Sequence, residues 1–290
     1  MRKFAFLDLD GTIIDHNQVI SSKVKEAITT ATANGHKVFI ATGRSYPELY
    51  PFLFSLPFSG LITANGAYVE VGDQVLASHS IDQDGIAEWM DYFRRSGASW
   101  LWQCRDHFYP SETFLDFFRL SGKSERAASG DWSAYLEQIM PYVTNGTPSA
   151  AEKCVFYLSP EASSSVEEAH SLFGDRYMVI PGSVQVRAGE MVEVGVKGVN
   201  KGSAMREVLH HFGADPSQAL AIGDSANDFE MLQEAGIGIT LEGGANKLLE
   251  MADWVAPSIA EDGVAVAFER FGLLNPSQTF PTGFRLLPMP

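Results

Sequence analysis

Two aspartates, Asp8 and Asp10, are the residues best placed for chemistry because they directly follow a short apolar segment, residues 4–7. Such a segment is typical of a parallel strand buried on both faces, and open α/β sheets bind ligands beyond the carboxyl ends of these strands. In an extended chain, side chains at positions i and i+2 share a face, so both carboxylates are expected to converge on one point. Neighbouring carboxylates repel each other, and a hard cation such as Mg²⁺ relieves this repulsion. A simple Asp-Gly turn produces the same pattern, so support from elsewhere in the chain is required.

A second polar loop, Thr42-Gly43-Arg44, follows the apolar segment 38–41. The hydroxyl of Thr42 and exposed backbone N–H groups at the start of a helix would form an anion site. An ordinary Thr-Gly turn followed by a solvated arginine explains the same residues, so this loop alone is a weak indication.

A third polar loop follows the apolar segment 219–222 and contains Asp224, Asn227 and Asp228 within five positions. The loop leads into a predicted helix, for which Asn227 or Asp228 is a suitable N-cap. Capping explains one of these side chains and leaves two for another purpose. Because the carboxyl ends of parallel strands lie along one edge of a sheet, the three loops together predict a single site.

Lys201 supplies a positive charge and lies at the start of a predicted helix, within the sequence Asn-Lys-Gly-Ser at residues 200–203. The helix macrodipole disfavours a cation at this end, so another interaction is expected to hold the lysine there. Lys197 is a neighbouring candidate for the same role. The segment does not match a nucleotide-binding P-loop, because asparagine stands where that motif requires glycine before the lysine.

Composition narrows the possible partners of this chain of 290 residues. Its 36 acidic and 21 basic residues give a formal charge of −15, which argues against nucleic acid or an anionic membrane as the main partner. A phosphorylated substrate would need positive charge supplied locally at its site. The two cysteines, Cys104 and Cys154, indicate neither a disulfide framework nor a zinc site. The start of the chain has no long apolar region typical of a signal peptide, so a cytoplasmic location is expected.

Strands and helices alternate in both the first and last thirds of the chain. This alternation predicts an α/β fold with a doubly wound parallel sheet, similar to a Rossmann fold. The predicted helices cover residues 22–34, 202–212, 245–252 and 261–271, and the predicted strands cover 4–7, 38–41, 219–222, 237–239 and 254–256.

The middle of the chain, residues 83–189, is rich in aromatic residues and predicts an inserted α+β domain. Its predicted helices are 86–95 and 164–173, and its predicted strands are 152–158 and 177–186. The core then consists of residues 1–82 and 190–274, and residues 275–290 form an unassigned tail. The aromatic residues between 89 and 118 are expected to fill the core of this domain, the alternative being that one of them stacks on a substrate.

With these loops identified, the chain resembles the haloacid dehalogenase (HAD) superfamily of phosphatases, and in particular its Cof-like, type IIB branch. The four motifs of that superfamily occur in order: Asp8-Leu9-Asp10-Gly11-Thr12, Thr42-Gly43-Arg44, Lys201-Gly202, and the loop Gly-Asp-Ser-Ala-Asn-Asp at residues 223–228. The insertion lies where this branch carries its α+β cap domain. The stretches 62–67 and 252–264 also resemble this branch.

The resemblance implies a role for each of the acidic residues. Asp8 would be the nucleophile that forms an aspartyl-phosphate. Asp10 would be the general acid and then the general base. Mg²⁺ would be held by the Asp8 carboxylate, the Asp10 backbone carbonyl and Asp224. Asp228 would orient Lys201 or a metal-bound water.

The resemblance also assigns residues to the binding of the substrate. Thr42, the backbone at Gly43, Lys201 and Asn227 would bind the transferred phosphoryl group. Arg44 would be a substrate contact.

The function implied is a Mg²⁺-dependent phosphomonoesterase acting on a small phosphorylated metabolite, such as a sugar phosphate or a phosphorylated cofactor. A phosphomutase or phosphotransferase would use the same aspartyl-phosphate and the same four motifs. A third possibility is a regulator that binds phosphorylated metabolites with little turnover, although such a protein has no need for both a nucleophile and an acid.

Overall fold

The computed structural model describes residues 1–120, 132–182, 186 and 189–275. The chain divides into two compact units. The first unit contains residues 1–44, 49–78 and the part of the chain from residue 199 onward, and the second contains residues 45–48 and 79–198. Residues 276–290 of the predicted tail lie outside the described residues.

The strands of the described residues are β1 (Phe4–Leu7), β2 (Lys37–Ala41), β3 (Gly60–Thr63), β4 (Tyr68–Val71), β5 (Gln74–Ser78), β6 (Ser99–Gln103), β7 (Phe108–Pro110), β8 (Lys153–Leu158), β9 (Tyr177–Pro181), β10 (Glu190–Val196), β11 (Ala219–Ile222), β12 (Ile237–Leu241) and β13 (Trp254–Ala256). The α-helices are α1 (Ser22–Ala33), α2 (Gln83–Ser96), α3 (Asp116–Arg119), α4 (Ser133–Ile139), α5 (Val166–Phe173), α6 (Lys201–His211), α7 (Phe229–Glu234), α8 (Asn246–Met251) and α9 (Gly263–Arg270). Among these described helices, each is too short or too polar to cross a membrane.

The first unit is built on one sheet whose strand order is β13-β12-β11-β1-β2-β3-β4-β5. The strands from β13 to β3 are parallel to their neighbours, which confirms the predicted α/β fold with a parallel core. Leu7 pairs with Ile40 on one side and with Ile222 on the other. The three central strands therefore end together, and the loops that follow them lie along one edge of the sheet.

The far edge of this sheet differs from the purely parallel arrangement that the sequence predicts. β4 and β5 pair antiparallel with β3 and with each other. A short hairpin needs no helical crossover, so this region lacks the strand–helix alternation that indicates parallel strands.

Helix α1 covers the sheet with the face that its periodicity predicts. Val24, Ala27, Ile28 and Ala31 are buried, and Ser21 caps the helix by accepting a hydrogen bond from the backbone N–H of Val24. The spacing i, i+3, i+4, i+7 places these four side chains on one stripe, which explains their burial.

The second unit contains a five-stranded antiparallel sheet with the order β7-β6-β8-β10-β9. Strand β10 pairs with β8 and β9, although the sequence pattern predicts that residues from 190 onward belong to the core. The alternation of apolar residues in β10 suits either sheet, and only its pairing partners decide between them. The predicted strand 177–186 ends at Pro181, and residues 183–185 lie outside the described part of the chain.

The aromatic residues of the second unit form its core. Trp89 is fully buried, and its ring centroid lies 4.0 Å from that of Phe173. Phe93, Trp102 and Phe156 are also fully buried in the same cluster. Their burial favours the interpretation that these rings pack the domain over the interpretation that they stack on a substrate.

Replacing Trp89 by alanine is expected to lower the free energy of unfolding by about 3–5 kcal/mol, because the substitution leaves a cavity among the aromatic rings. Urea unfolding followed by far-UV circular dichroism measures this change. Leu172→Ala is the matched control, since Leu172 is 50% exposed on α5, and it should change the same free energy by less than about 0.5 kcal/mol. Equal effects of the two substitutions would contradict the assignment of Trp89 to the core.

Candidate active site

Asp8 lies directly after β1 and is the most buried carboxylate at the end of that strand. Its backbone N–H donates to the carbonyl of Ile222 at 2.9 Å, which continues the pairing of β1 with β11 by one residue. The residue is 5% exposed. Burial, together with the negative charge of Asp228, raises the pKa of the Asp8 carboxyl well above its usual value.

Lys201 provides the charge that compensates Asp8. Its Nζ donates to Oδ1 of Asp8 at 2.6 Å and to Oδ1 of Asp228 at 2.7 Å, and the side chain is completely buried. Burial alone would lower the pKa of Lys201, but the charges of Asp228 and Asp8 outweigh it and raise that pKa above the usual lysine value. These two ion pairs explain why a cation stands at the unfavourable end of a helix.

The start of α6 places Lys201 at this point. Asn200 is the N-cap, and its side chain accepts from the backbone N–H of Ser203 at 2.8 Å. The hydroxyl of Ser203 donates in return to the backbone carbonyl of Asn200 at 2.9 Å. This reciprocal capping fixes the first turn and therefore the direction in which Lys201 leaves it.

Asp228 links the lysine to the loop after β11. Its Oδ2 accepts hydrogen bonds from the backbone N–H groups of Asp224 at 3.1 Å and Ser225 at 3.0 Å. Its Oδ1 accepts from Lys201. Both carboxylate oxygens are thus engaged, and Asp228 acts as the structural centre of the loop rather than as a simple helix cap. That Asp228 orients Lys201 or a metal-bound water stays a prediction.

Asp224 lies beside the turn that follows Asp8. Its Oδ1 accepts from the hydroxyl of Thr12 at 3.0 Å. Gly11 has φ +81°, and a Cβ at this position would lie 2.4 Å from Oδ2 of Asp224, so the turn requires glycine. Burial and the charge of Asp228 raise the pKa of the Asp224 carboxyl. Thr12 was not predicted as a site residue, although it stands within the first motif.

The carboxylates of this cluster suit a hard divalent cation. Within the described residues, oxygen atoms of Asp8, Asp224 and Asp228 lie within 4.8 Å of one another. Carboxylate oxygens are the ligands that Mg²⁺ prefers in proteins. Asp228 is fully buried and accepts from the Lys201 ammonium and from two backbone N–H groups, whereas Asp224 accepts only from two side-chain hydroxyl groups. Asp8 and Asp224 are therefore the better placed ligands.

Asp10 has different partners from Asp8. Its Oδ2 accepts from Nε of Arg44 at 2.7 Å, and its Oδ1 accepts from Nη2 of the same arginine at 2.8 Å. The sequence predicts that the two aspartates converge because side chains two apart share a face of a strand. β1 ends at Leu7, however, so this rule does not extend to Asp10, and the two carboxylates form separate ion pairs.

The loop after β2 holds Thr42, which is 1% exposed. Its hydroxyl accepts from the backbone N–H of Arg44 at 3.1 Å. The chain continues into a short 3₁₀ turn, Tyr46–Glu48, and this turn stands where the sequence predicts the N-terminus of a helix. Any anion held here would be bound by the loop itself.

Asn65 lies at the same edge of the sheet and was not predicted as a site residue. It follows β3 in a left-handed conformation with φ 57°, and its Oδ1 accepts from Nδ2 of Asn227 at 2.9 Å. A Cβ on Gly43 would lie 2.9 Å from Oδ1 of Asn65, so these three residues meet closely. Because β3 was not predicted from the sequence, Asn65 was not recognised as a residue that follows a strand at this edge of the sheet.

Lys197, the alternative candidate for the buried charge, belongs to the second unit. Its exposed Nζ donates to the backbone carbonyl of Gly174 at 2.8 Å. Among the predicted residues, Lys201 contacts Asp8 and Asp228, Asp10 pairs with Arg44, and Gly43 lies beside Asn227.

The chain is similar to known proteins over nearly its full length. A model of the haloacid dehalogenase-like hydrolase family matches residues 5–268. YkrA of Bacillus subtilis, whose phosphatase name is provisional, is 26% identical over 94% of this chain and 99% of its own length. The 5-amino-6-(5-phospho-D-ribitylamino)uracil phosphatase YcsE of the same organism is 24% identical, with 93% of this chain and 96% of its own length covered.

A solved structure shares the fold. The HAD subclass IIB sugar phosphatase BT4131 superposes with a TM-score of 0.72 and 23% identity, covering 93% of this chain and 99% of its own. At this identity the likeness shows the fold alone.

Replacing Lys201 by methionine is expected to lower the free energy of unfolding by about 3–5 kcal/mol near pH 8 in a chelator, because two buried carboxylates lose their counter-charge. The loss should shrink as the pH falls towards about 5. Lys201 lowers the pKa of folded Asp8, which burial raises, so its removal raises that pKa further. The folded variant then binds more protons than the folded native chain as the pH falls, and the stability difference between them shrinks. In the native chain Lys201 keeps its charge over this whole range.

Urea unfolding of both proteins at the two pH values measures this effect. Lys197→Met is the matched control and should change the free energy of unfolding by less than about 0.5 kcal/mol at either pH. A loss for Lys201→Met that does not depend on pH would contradict the ion-pair account.

Proposed function

Because this chain belongs to the haloacid dehalogenase-like hydrolases and is a phosphatase of that family, as its motifs predicted, we propose that it is a Mg²⁺-dependent phosphomonoesterase. The observation that carries this proposal is the buried cluster of Asp8, Lys201, Asp224 and Asp228. It combines a shielded carboxylate, a fixed cation and further oxygen ligands at one point.

Asp8 is the proposed nucleophile. Lys201 holds Oδ1 of Asp8 at 2.6 Å, which fixes the orientation of the carboxylate and leaves Oδ2 as the attacking atom. A carboxylate that is buried and fixed in this way loses little freedom in reaching the phosphorus atom. Protonation would abolish its nucleophilicity, and the positive charge of Lys201 favours the ionised form.

The reaction proceeds in two steps with balanced proton transfers. In the first, an oxygen of Asp8 bonds to phosphorus while the bond from phosphorus to the leaving oxygen breaks, and Asp10 gives that oxygen a proton. In the second, water attacks the phosphorus of the aspartyl-phosphate, and the carboxylate of Asp10 takes a proton from the water. Phosphate leaves, and Asp8 and Asp10 return to their starting forms.

The phosphoryl group is proposed to bind where the loops after β1, β2 and β11 meet. The ammonium of Lys201, the hydroxyl of Thr42, the backbone N–H of Gly43 and the amide of Asn227 supply the hydrogen-bond donors. The chain carries a formal charge of −15, so a phosphate is repelled at long range and needs these local donors.

The metal ion is proposed to be held by the carboxylates of Asp8 and Asp224 and by the backbone carbonyl of Asp10. When bound, Mg²⁺ supplies positive charge that offsets the repulsion among the carboxylates and the phosphoryl oxygens. Two hydroxyl groups hold the Asp224 carboxylate in place, that of Thr12 at Oδ1 and that of Ser225 at Oδ2.

The proposed substrate is a small phosphorylated metabolite, such as a sugar phosphate or a phosphorylated cofactor. The relative YcsE is named as a phosphatase of 5-amino-6-(5-phospho-D-ribitylamino)uracil. Its name supports a small phosphorylated metabolite as the substrate of this chain.

Asp8→Asn is expected to reduce Mg²⁺-dependent phosphate release from a panel of phosphorylated metabolites by at least about a thousandfold, because the amide is not a nucleophile. Release of inorganic phosphate measures this loss. Asp73→Asn is the control, since Asp73 lies exposed in the turn between β4 and β5 and should leave the rate unchanged. Undiminished release by Asp8→Asn would remove Asp8 from the mechanism.

Asp10→Asn is expected to slow turnover on the order of 10²- to 10⁴-fold, because proton transfer in both steps is lost. With 4-nitrophenyl phosphate, whose leaving group needs no proton, the variant should form the aspartyl-phosphate and then hydrolyse it slowly. Mass spectrometry of the intact protein after rapid acid quenching should detect the phosphorylated chain. Normal hydrolysis without accumulation would show that Asp10 has no acid–base role.

A further inference from the structure

We propose that Arg44 and Tyr50 are positioning residues that set the orientation of the Asp10 carboxyl for proton transfer. They act on the reaction through Asp10 rather than by binding the substrate, which is the role that the sequence predicted for Arg44. This inference rests on the proposed function, in which Asp10 is the general acid and base.

The contact between Arg44 and Asp10 is a two-point fork. Nε of Arg44 donates to Oδ2 of Asp10 at 2.7 Å, and Nη2 donates to Oδ1 at 2.8 Å. Two parallel hydrogen bonds fix both the position and the plane of a carboxylate, which a single bond or a lysine cannot do. The side chain of Asp10 is 52% exposed and that of Arg44 is 21% exposed, so the less exposed arginine restrains an aspartate that solvent would otherwise leave free to rotate.

The arginine is itself held by Tyr50. The hydroxyl of Tyr50 accepts from Nη2 of Arg44 at 3.0 Å, and the guanidinium carbon lies 4.6 Å from the centre of the tyrosine ring. The ring of Tyr50 stacks on that of Phe52 with centroids 5.4 Å apart and planes 6° from parallel. Tyr50 therefore holds the guanidinium both through its hydroxyl and through its ring.

The backbone of Arg44 is anchored as firmly as its side chain. Its carbonyl accepts from the N–H of Ala64 at 2.7 Å, and its N–H donates to the hydroxyl of Thr42 at 3.1 Å. The fork is thus attached to the ends of β2 and β3, which belong to the rigid sheet. Asp10 lies in a turn after β1, outside the sheet. The fork therefore fixes the position of the Asp10 carboxyl relative to the ends of β2 and β3.

The two protonation states that the reaction requires keep different numbers of these hydrogen bonds. As a carboxylate, Asp10 accepts both hydrogen bonds from Arg44. As an acid, it keeps the hydrogen bond at its unprotonated oxygen, while the other oxygen carries the proton and donates it to the leaving oxygen. After that transfer the second hydrogen bond to Arg44 forms again, and the carboxylate is oriented to take a proton from the attacking water.

The test compares substrates that differ in their need for an acid. 4-Nitrophenyl phosphate releases a stable anion, whereas benzyl phosphate releases an alkoxide that must be protonated. The ratio of kcat/KM for the two esters covers the steps up to formation of the aspartyl-phosphate, and it reports acid catalysis directly. The proteins compared are the native chain, Arg44→Met, Arg44→Lys and Tyr50→Phe, each with Mg²⁺ and with its fold checked by circular dichroism.

Arg44→Met is expected to lose on the order of 10- to 100-fold in kcat/KM for benzyl phosphate and less than about threefold for 4-nitrophenyl phosphate, because only the first ester needs the acid. Arg44→Lys should behave like Arg44→Met, since lysine keeps the charge but cannot form the fork. Tyr50→Phe removes one hydroxyl group and should shift the ratio in the same direction by about threefold. Arg94→Met is the matched control, because Arg94 forms an exposed ion pair with Asp91 on α2.

An equal loss for both esters in Arg44→Met and Tyr50→Phe would overturn the inference, because it would mean direct binding of the phosphoryl group. A loss restored by lysine would also overturn it, since charge alone would then suffice.

The outcome for Asp8→Asn distinguishes failure of the proposed function from failure of the positioning role. If Asp8→Asn still releases phosphate from 4-nitrophenyl phosphate, the proposed function has failed; if it does not, an unchanged ester ratio in the Arg44 variants refutes the positioning role alone.

Discussion

The buried ammonium of Lys201 lies between two carboxylates that come from opposite ends of the chain, and the rest of the site is arranged around this contact. A charge without contact to water is costly unless it is paired and hydrogen-bonded. Lys201 is completely buried and donates to both Asp8 and Asp228. The pairing therefore requires the end of β1, the start of α6 and the loop after β11 to be in place at once. These ion pairs therefore form only when the first unit is folded.

The same contact leaves the site with an excess of negative charge. Three carboxylates within 4.8 Å of one another repel each other, and a single ammonium cannot neutralise all of them. The pKa of Asp8 and that of Asp224 are raised, chiefly by burial, and the divalent cation proposed for this site would stabilise both carboxylates. In the proposed function, Lys201 supplies local positive charge for the phosphoryl group in a protein whose formal charge is −15.

A second ion pair gives the two aspartates of the first motif different environments. Asp8 is buried against Lys201, whereas Asp10 is half exposed and held by Arg44. Arg44 is in turn held by Tyr50 and by the ends of β2 and β3. A nucleophile benefits from a fixed, desolvated position, while a residue that exchanges protons with a leaving group and with water benefits from access to both. The two environments meet these different needs within three residues of chain.

The sequence by itself determined the parts of this protein that depend on local pattern. Four apolar residues before Asp8 predict β1, the 3.6-residue spacing from Val24 predicts the buried face of α1, and the motifs predict the family. The roles given to Asp8, Asp10 and Lys201 stay predictions. The placement of the loops after β1, β2 and β11 at one edge of the sheet follows from parallel strands that end together, and Lys201 reaches Asp8 from the start of α6.

Only the tertiary structure decided features that depend on partners distant in the chain. The pairing of β10 with β8 and β9 assigned residues 190–196 to the second unit. The antiparallel strands β4 and β5 and the contact of Asn65 with Asn227 arise from packing that no local period encodes. The fork from Arg44 to Asp10 joins residues 34 positions apart. Sequence pattern records which face of a segment is apolar, whereas the identity of a hydrogen-bond partner is fixed only when the strands are assembled.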